Sequence, residues 1–299
     1  MDYPCARRSR SYDAHRTATK YRPGRCRSNG LTLARQFTKT AGQQMTATTP
    51  HRIFLSDLHL DDATSPAFQT FVRCLHAEQE RVDEIYLLGD LVEAWVGDDE
   101  NTAWADVLRE TLYTVGRSAD VYLMHGNRDF LIGKAFCEQT GVTLLDEIVQ
   151  LDDGTLLCHG DQLCTDDVAY QTLRKQLRGA EWKTDFLHKP LSERQQIANA
   201  MRTESQTAQA NKADNIMDAS EEAIDALMRR YSASLLIHGH THRPGSYRLQ
   251  SLSANRQRIV LGSWENCGWL CRQNHGPGRK MARDSVSLEC FSLAHRYEI

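Results

Sequence analysis

Three histidines lie within five positions at the end of an apolar run. Residues 235–245 read LLIHGHTHRPG, so His238, His240 and His242 follow directly on a segment typical of a buried strand. Imidazole is the commonest metal ligand among the side chains, and it exchanges protons near neutral pH. One such cluster occurs by chance, so its meaning depends on whether other segments supply matching chemistry.

Four earlier apolar runs end in residues of the same chemical kind. Together with the histidine cluster, the donor residues that follow the runs are Asp57, His59, Asp90, Asn127, His159, His240 and His242. The carboxyl ends of strands in α/β sheets meet at one edge, where sites form. Glycines beside these residues allow sharp turns and a close approach of the backbone. We therefore expect the seven side chains to converge.

The donor set favours two metal ions over one. Imidazole, carboxylate and amide oxygen without thiolates suit Mn, Fe or Zn. Seven donors exceed the needs of one tetrahedral ion and match two ions about 3.5–4 Å apart that share a bridging carboxylate. Asp57 and His59 are two positions apart, which predicts that they face one side of an extended segment. The same holds for His240 and His242, and His238 then faces the other side.

The apolar pattern predicts an α/β protein in which two sheets pack together and helices flank them. Short apolar runs bounded by glycine or polar residues predict buried strands at 53–55, 85–88, 121–124, 155–158, 234–237 and 258–261. Helical patterns occupy residues 66–80 and 103–115, and Asp153-Gly154 predicts a hairpin turn. Residues 286–295 read VSLECFSLAH and predict a last edge strand.

A long polar segment interrupts this series of short apolar runs. Residues 166–229 have a helical pattern without strand runs, and we interpret them as a helical lid insertion in a core of residues 49–165 and 230–299. Residues 1–48 are rich in Arg, Ser, Thr and Gly and show no clear period, which predicts a disordered basic extension. Because Met45 resembles a natural start, residues 1–44 are either an upstream extension or an Arg-rich transit segment.

Charge and cysteine usage exclude several classes of protein. The 299 residues have a net charge of −3, but residues 1–44 contribute +8, so the remainder carries −11. This acidic body argues against a nucleic-acid partner and is compatible with divalent cations. Nine irregularly spaced cysteines without a C-x-x-C pair argue against a disulfide framework and for a reduced, cytosolic compartment. We expect neither a membrane-spanning helix nor a signal peptide.

Five short motifs follow one another along the chain: D-x-H, G-D, G-N, H-G and G-H-x-H. They are similar in kind and order to the motifs of the calcineurin-like metallophosphoesterases. This resemblance implies a metallophosphoesterase-like two-sheet β-sandwich and hydrolysis of a phosphate ester or anhydride. It assigns Asp57, His59, Asp90 and His242 to a first metal ion. It assigns Asp90, Asn127, His159 and His240 to a second ion, with Asp90 as the bridge.

One departure from the family's pattern bears on the substrate. Many members have G-N-H-[DE], in which the histidine assists the leaving group, but this chain reads HGNRDF with Arg128 at that position. An alkoxide leaving group needs a general acid, whereas a phosphate leaves already stabilised. The planar guanidinium of Arg128 suits a second phosphate. The sequence therefore favours a pyrophosphate substrate.

Longer sequence segments, spread over about residues 51–270, resemble those of a narrower family. LGDLVEAWVGDD, HGNRDFLIGK, CHGDQLCTDD, HGHTHRP and VLGSW are similar to segments of the UDP-2,3-diacylglucosamine diphosphatases. The resemblance implies hydrolysis of that lipid in lipid A biosynthesis to 2,3-diacylglucosamine 1-phosphate and UMP. It also implies two Mn²⁺ ions, metal-activated hydroxide attack at the UMP-side phosphorus, and a cytoplasmic enzyme in peripheral contact with the inner membrane. We expect a monomer.

The same resemblance implies a set of substrate contacts. These are Asn127, Arg128, Asp167, Ser205, Gln209, Lys212 and His240, although Gln209 stands where the family often has Asn. Without the resemblance, Ser205, Gln209 and Lys212 have the spacing of a solvated helix face.

We also expect roles for other residues near these motifs. The apolar residues Phe186, Leu187, Leu191, Ile197 and Met201 of the lid line either an acyl-chain slot or the lid's own core. We expect His125 and His238 either to support the metal ligands or to face the oxyanion, rather than to bind metal. Trp95 and Trp264 are expected to pack in a core, and Cys164 is assigned no chemistry. The basic residues Arg174, Lys175 and Arg178 are expected to contact the membrane.

Two other functions remain open at this point. A nucleotide-sugar or dinucleotide pyrophosphatase would use the same metal site on a substrate without lipid. A binding scaffold with an inactive metal site belongs to a different class, and the complete set of seven donors argues against it.

Overall fold

Two sheets form the centre of the chain in the computed structural model. The structure describes residues 50–210, 218–249, 256–274 and 286–294. The extension predicted over residues 1–48 lies outside these ranges. None of the helices within them combines the length and apolar character needed to cross a membrane.

The first sheet has six strands in the order β11-β10-β1-β2-β3-β4. They are β1 (Arg52–Leu55), β2 (Glu84–Leu88), β3 (Asp120–Met124), β4 (Thr143–Leu144), β10 (Cys267–Gln273) and β11 (Val286–Ser292). The run β1 to β4 is parallel, whereas β10 and β11 add antiparallel strands. The edge strand predicted near the end of the sequence is therefore present as β11.

The second sheet has five strands in the order β5-β6-β7-β9-β8. They are β5 (Ile148–Gln150), β6 (Thr155–Cys158), β7 (Leu235–His238), β8 (Gly245–Leu249) and β9 (Arg256–Val260). The central strands β6, β7 and β9 are parallel to one another. The predicted hairpin joins β5 to β6, and Gly154 occupies its turn with φ +87°. The predicted mixed α/β fold with two sheets is confirmed.

Strand residues alternate between two apolar cores, which explains why the strand runs read as continuously apolar. Ile53 and Leu55 face the helix-covered core of the first sheet, whereas Phe54 faces the core shared with the second sheet. There Phe54, Tyr86 and Tyr122 stack with ring centroids 5.1 and 4.8 Å apart. Both faces of β1 to β3 are therefore buried, and the strand ends are fixed by packing.

Seven helices accompany the sheets in the described ranges. They are α1 (Pro66–Glu78), α2 (Ala103–Val115), α3 (Lys134–Thr140), α4 (Val168–Leu177), α5 (Ala180–Leu187), α6 (Leu191–Ala210) and α7 (Glu221–Arg230). Helix α1 begins where Ser65 Oγ accepts from Phe68 N–H and Pro66 takes the first helical position, as expected for an N-terminus. Its buried face places Phe68, Phe71 and Leu75 on the first sheet.

Helix α7 differs in position from the other helices of the predicted insertion. Ile224 and Met228 are fully buried in the core shared by the two sheets. Since α7 also connects β6 to the parallel strand β7, its place is that of a crossover helix. The insertion predicted over residues 166–229 thus includes a core helix, and we propose that it ends before residue 218. Below, α4, α5 and α6 are called the helical cap.

A buried polar network ties the two sheets together. Arg52 of β1 contacts Glu84 at 2.6 Å and reaches across to Asp153 of the β5–β6 turn at 2.7 Å. Gln273 of β10 donates to the Asp153 carboxylate and to Thr155 Oγ1 on β6. The side chains of Arg52, Glu84 and Asp153 are nearly buried, so each charge depends on its partners.

We expect the substitution Arg52→Ala to destabilise the fold by about 3–5 kcal/mol, because it leaves two nearly buried carboxylates without their cation. Equilibrium unfolding in urea, followed by circular dichroism, measures this loss. The control is Lys134→Ala, since the Lys134–Glu138 pair is largely exposed and should change the midpoint little. Equal midpoints for the two variants would contradict the role of Arg52.

Candidate metal centre

The strand ends bring six of the seven predicted donors into two triads. The first triad is Asp57, His59 and His242, and the second is Asp90, His159 and His240. Within each triad the ligand atoms lie within 4.8 Å of one another. The predicted convergence therefore occurs, but it joins strand ends of both sheets, because His159, His240 and His242 follow β6 and β7 of the second sheet.

The cause of the convergence is not the extended backbone that the two-residue spacing predicts. Five of the six triad residues have positive φ, between 51° and 68°; they are Asp57, His59, Asp90, His240 and His242. Among the other described residues, Ser232 is the only residue other than glycine with a positive φ. Side chains other than glycine rarely adopt it, and such strain concentrates at functional sites. Alternating left-handed residues turn both members of each D-x-H and H-x-H word toward the same place.

Backbone hydrogen bonds hold the strained loops side by side. Asp57 N–H donates to Gly89 O at 3.1 Å, and His59 N–H donates to Asp90 O at 3.1 Å. His240 N–H donates to both carboxylate oxygens of Asp57, at 3.0 and 2.9 Å. Each loop therefore fixes the donor of another loop.

Glycine is required at two positions where backbones approach closely. A Cβ on Gly89, which has φ +87°, would lie 2.5 Å from His159 Nδ1. A Cβ on Gly126 would lie 2.2 Å from an Asp90 carboxylate oxygen. Both glycines make room for the second triad.

Asp90 lies between the two triads. Its Oδ2 is 4.0 Å from His59 Nε2, and its Oδ1 is 3.7 Å from His159 Nε2. Asn127, the seventh predicted donor, joins the second triad with its Oδ1 3.1 Å from His159 Nε2 and 2.9 Å from His240 Nδ1. The arrangement suits two ions that share the Asp90 carboxylate.

Contacts outside the triads orient two of the histidine rings. His159 Nδ1 lies 2.9 Å from Leu88 O and donates there, which turns Nε2 toward Asn127 and Asp90. His59 Nδ1 lies 3.0 Å from Glu93 Oε2, and its Nε2 lies 3.3 Å from His242 Nε2. Imidazole nitrogens that face one another and nearby carboxylates are the pattern of a cation site. The donor set fits divalent metal ions.

Burial and charge set the protonation of the centre. Burial, and then the neighbouring His159, lower the pKa of His240 to about 4, so its ring is neutral and ready to ligate. Burial alone would lower the pKa of His59, but contact with Glu93 and the charges of Asp90 and Asp57 raise it to about 9. The metal-free centre therefore holds a proton on His59 at neutral pH.

Three acidic residues of the site were not predicted. Glu93 contacts His59, and Asp161 is buried beside Tyr170 Oη, Arg174 and Arg178. Asp129 accepts from the N–H groups of Leu91 and Gly126 and so joins the loops that carry Asp90 and Asn127. Each lies inside one of the motifs LGDLVEAW, HGNRDF or CHGD, but none stands at a metal-ligand position of its motif.

The residues predicted to support or flank the site are buried, apart from the half-buried His125. His125 Nε2 contacts Ile132 O at 2.7 Å, and His238 is fully buried with its Nδ1 2.8 Å from Gly239 O. Trp264 packs in the first core and donates its backbone N–H to Asp57 O, and Trp95 lies in the same core. Cys164 is buried, and burial raises the pKa of its thiol to about 12.

A cavity opens between the metal centre and the helical cap. Its polar end is lined by Glu93, Asn127, Arg128, Tyr170, Arg202 and Ser205. Its apolar wall includes Trp95, Leu131, Leu177, Trp182, Phe186, Ala198 and Met201. Of the five apolar cap residues named above, Phe186 and Met201 line the cavity. Leu191 and Ile197 pack against the first core, and Leu187 is exposed.

Apart from His240, which belongs to the second triad, the predicted substrate contacts divide into three groups. Arg128 and Ser205 line the cavity with Asn127, and the Arg128 N–H donates to Asp90 Oδ1 at 2.8 Å. Asp167 caps α4 by accepting from Tyr170 N–H. Gln209 belongs to α6, although its side chain lies outside the described atoms, and Lys212 lies outside the described residues.

The basic residues predicted to contact a membrane are placed differently. Arg174 and Arg178 pair with the buried Asp161 at 2.7 and 3.2 Å and line the cavity. These ion pairs hold α4 to the rim of the metal centre and leave the two guanidiniums unavailable to a lipid surface. Lys175 remains exposed.

Comparisons with known proteins agree with this geometry. The family model described as calcineurin-like phosphoesterase matches residues 51–244. UDP-2,3-diacylglucosamine hydrolase of Marinobacter nauticus is 41% identical over 230 residues, which cover 75% of this chain and 94% of that protein. The proteins of the same name from Pseudomonas aeruginosa and Pseudomonas fluorescens strain SBW25 are 41% and 40% identical, over 73% and 79% of this chain and 92% and 96% of their own lengths.

We expect Gly89→Ala to weaken Mn²⁺ binding by roughly 10–100-fold, because the new methyl group displaces His159. The matched control is Gly154→Ala, which has the same φ of +87° but open space around the added Cβ. Both variants carry the cost of a left-handed alanine, about 1–2 kcal/mol. Only Gly89→Ala should lose metal in calorimetric titration. A similar loss in both would show that strain rather than crowding is responsible.

We expect Mn²⁺ binding to tighten with pH, by about tenfold per unit between about pH 6.5 and about pH 8.5. The reason is that the ion must displace the proton from His59, whose metal-free pKa is about 9. Titration calorimetry in buffers of different ionisation enthalpy measures both the affinity and the protons released. An affinity that stays constant over this range would contradict the assignment of His59 as a ligand.

Proposed function

The chain belongs to the calcineurin-like phosphoesterases and, within them, to the UDP-2,3-diacylglucosamine hydrolases, and we propose that it hydrolyses the pyrophosphate bond of UDP-2,3-diacylglucosamine. The products are 2,3-diacylglucosamine 1-phosphate and UMP, and the reaction is a step of lipid A biosynthesis. The observation that carries this proposal is a cavity with an apolar wall whose polar end is lined by Glu93, Asn127 and Tyr170, each of which contacts a histidine of the triads.

We propose that two Mn²⁺ ions occupy the centre. Asp57, His59, Asp90 and His242 would hold one ion, and Asp90, Asn127, His159 and His240 the other, as the distances within each group allow. Divalent ions there would supply a nucleophile from water near neutral pH and neutralise charge on the phosphoryl oxygens. Hydrogen bonds between the loops at the strand ends hold the triad residues next to one another.

Arg128 is suited to bind the phosphate that remains on the lipid. Its guanidinium lines the cavity beside Asn127, and its backbone N–H fixes it to Asp90. A planar guanidinium offers two parallel hydrogen bonds to phosphate oxygens. Since the leaving phosphate needs no proton, an arginine serves here where an ester substrate would require a general acid. We propose His240, Asp167, Ser205, Gln209 and Lys212 as further substrate contacts.

The apolar wall of the cavity favours a lipid over a plain nucleotide sugar. Trp95, Trp182, Phe186 and Met201 offer a surface on which acyl chains can be buried. The cap also exposes Val168, Leu173 and Leu187, with 71%, 43% and 43% of each residue accessible. These residues support peripheral contact with the cytoplasmic face of the inner membrane, to which the substrate is anchored. We propose that the enzyme acts there as a monomer.

UMP release from UDP-2,3-diacylglucosamine, with and without Mn²⁺, tests the proposed reaction. We expect release that depends on Mn²⁺ and falls by at least about a thousandfold in Asp90→Ala, because that variant removes the bridging carboxylate. Turnover of UDP-glucosamine at the same rate as the diacylated substrate would favour the alternative pyrophosphatase without a lipid substrate. No release from the intact protein with metal supplied would overturn the lipid assignment.

Filling the apolar side of the cavity tests the place of the acyl chains. We expect Ala198→Trp to raise KM for the diacylated substrate by roughly tenfold or more, since its indole occupies space next to Met201 and Phe186. Hydrolysis of a short, water-soluble UDP-sugar should change little. The control is Ala223→Trp on α7, away from the cavity. If Ala198→Trp leaves KM for the lipid unchanged, the acyl chains bind elsewhere.

A further inference from the structure

Glu93 occupies the boundary between the metal centre and the cavity. It is 8% exposed, follows β2 by five residues and lines the polar end of the cavity. Its backbone is fixed, because Glu93 N–H donates to Leu60 O at 3.1 Å and Leu60 bridges to Val92. The carboxylate is therefore anchored beside the loop that carries His59.

The two oxygens of this carboxylate have different partners. Oε2 lies 3.0 Å from Nδ1 of His59, on the side of the ring opposite the triad. Oε1 lies 2.7 Å from Nε of Arg202 and 3.6 Å from Nη1 of Arg128. One side of Glu93 thus faces a candidate metal ligand, and the other faces two arginines of the cavity.

The Arg202 contact gives helix α6 a second attachment. Near its start, Arg194 donates to Val96 O and pairs with Asp99, neither of which belongs to a triad. Arg202 lies eight residues further on, about 12 Å along the helix. Ala198 and Met201, which line the cavity, lie between the two attachments. Arg194 therefore holds one end of this stretch and Glu93 the other, while Ile197 and Ala198 pack against the first core.

We propose that Glu93 is a positioning residue that couples the helical cap to the metal centre. It orients His59 through Oε2 and holds α6 and Arg128 through Oε1. A carboxylate behind a metal-bound histidine fixes the ring. Once an ion holds His59, Glu93 has one orientation left, and α6 is held in its docked position. This inference rests on the proposed function for its metal and its lipid cavity, but its test requires neither substrate nor turnover.

Hydrogen–deuterium exchange of the full-length protein, with and without saturating Mn²⁺, tests the coupling. In the wild type we expect Mn²⁺ to slow amide exchange over residues 198–205. In Glu93→Gln we expect that protection to be lost and Mn²⁺ affinity to fall by roughly 10–100-fold, with saturation verified by calorimetry. Arg202→Ala should lose the protection as well, and Arg202→Lys should recover part of it.

The matched control is Arg194→Ala, which releases the other attachment of the same helix. It should raise exchange at the start of α6 but keep the Mn²⁺-dependent protection over residues 198–205. The proposal is overturned if Mn²⁺ does not protect α6 in the wild type, or if Glu93→Gln and Arg202→Ala keep the protection. Because no substrate is present, absence of UMP release in a separate assay would overturn the proposed function without affecting this result.

Discussion

The backbone holds seven metal-ligand groups close together at the strand ends. Carboxylates and imidazole lone pairs repel one another, and burial makes each of them harder to charge. Left-handed residues at the strand ends, held by hydrogen bonds between loops, aim the groups inward despite this. The strain is tolerated because both faces of the first sheet's parallel strands are packed and the strand ends cannot move. A cation at the centre relieves the repulsion that the backbone imposes.

The helical cap is held to the metal centre by buried carboxylates. Asp161 holds α4 through two arginines, and Glu93 holds α6 through one. Both carboxylates stand next to triad residues, so the cap is attached to the rim of the centre by charged contacts. Between these attachments lies the apolar wall. A polar end suited to phosphate and an apolar wall suited to acyl chains would match the two parts of a nucleotide-linked lipid.

Much of this arrangement could be predicted from the sequence, because strand runs and the words after them are local signals. The runs at 53–55, 85–88 and 121–124 became β1 to β3, and the seven donors met where parallel strands end. The left-handed conformation of Asp57 and His59 could not be predicted, since nothing in an Asp or His side chain announces positive φ. The sequence pattern of α7 does not distinguish a lid helix from a crossover helix, because a polar amphipathic helix has the same periodicity in both. The contacts of Glu93 with Arg202 and of Asp161 with Arg178 join positions far apart in the chain, which periodicity does not reveal.

Anomalous X-ray diffraction from crystals grown with Mn²⁺ tests the central claim most directly. Two peaks are expected, about 3.5–4 Å apart, with the Asp90 carboxylate between them. One should lie among Asp57, His59 and His242, and the other among Asn127, His159 and His240. A single peak, or peaks outside both triads, would contradict the account that the left-handed strand ends build a two-ion centre.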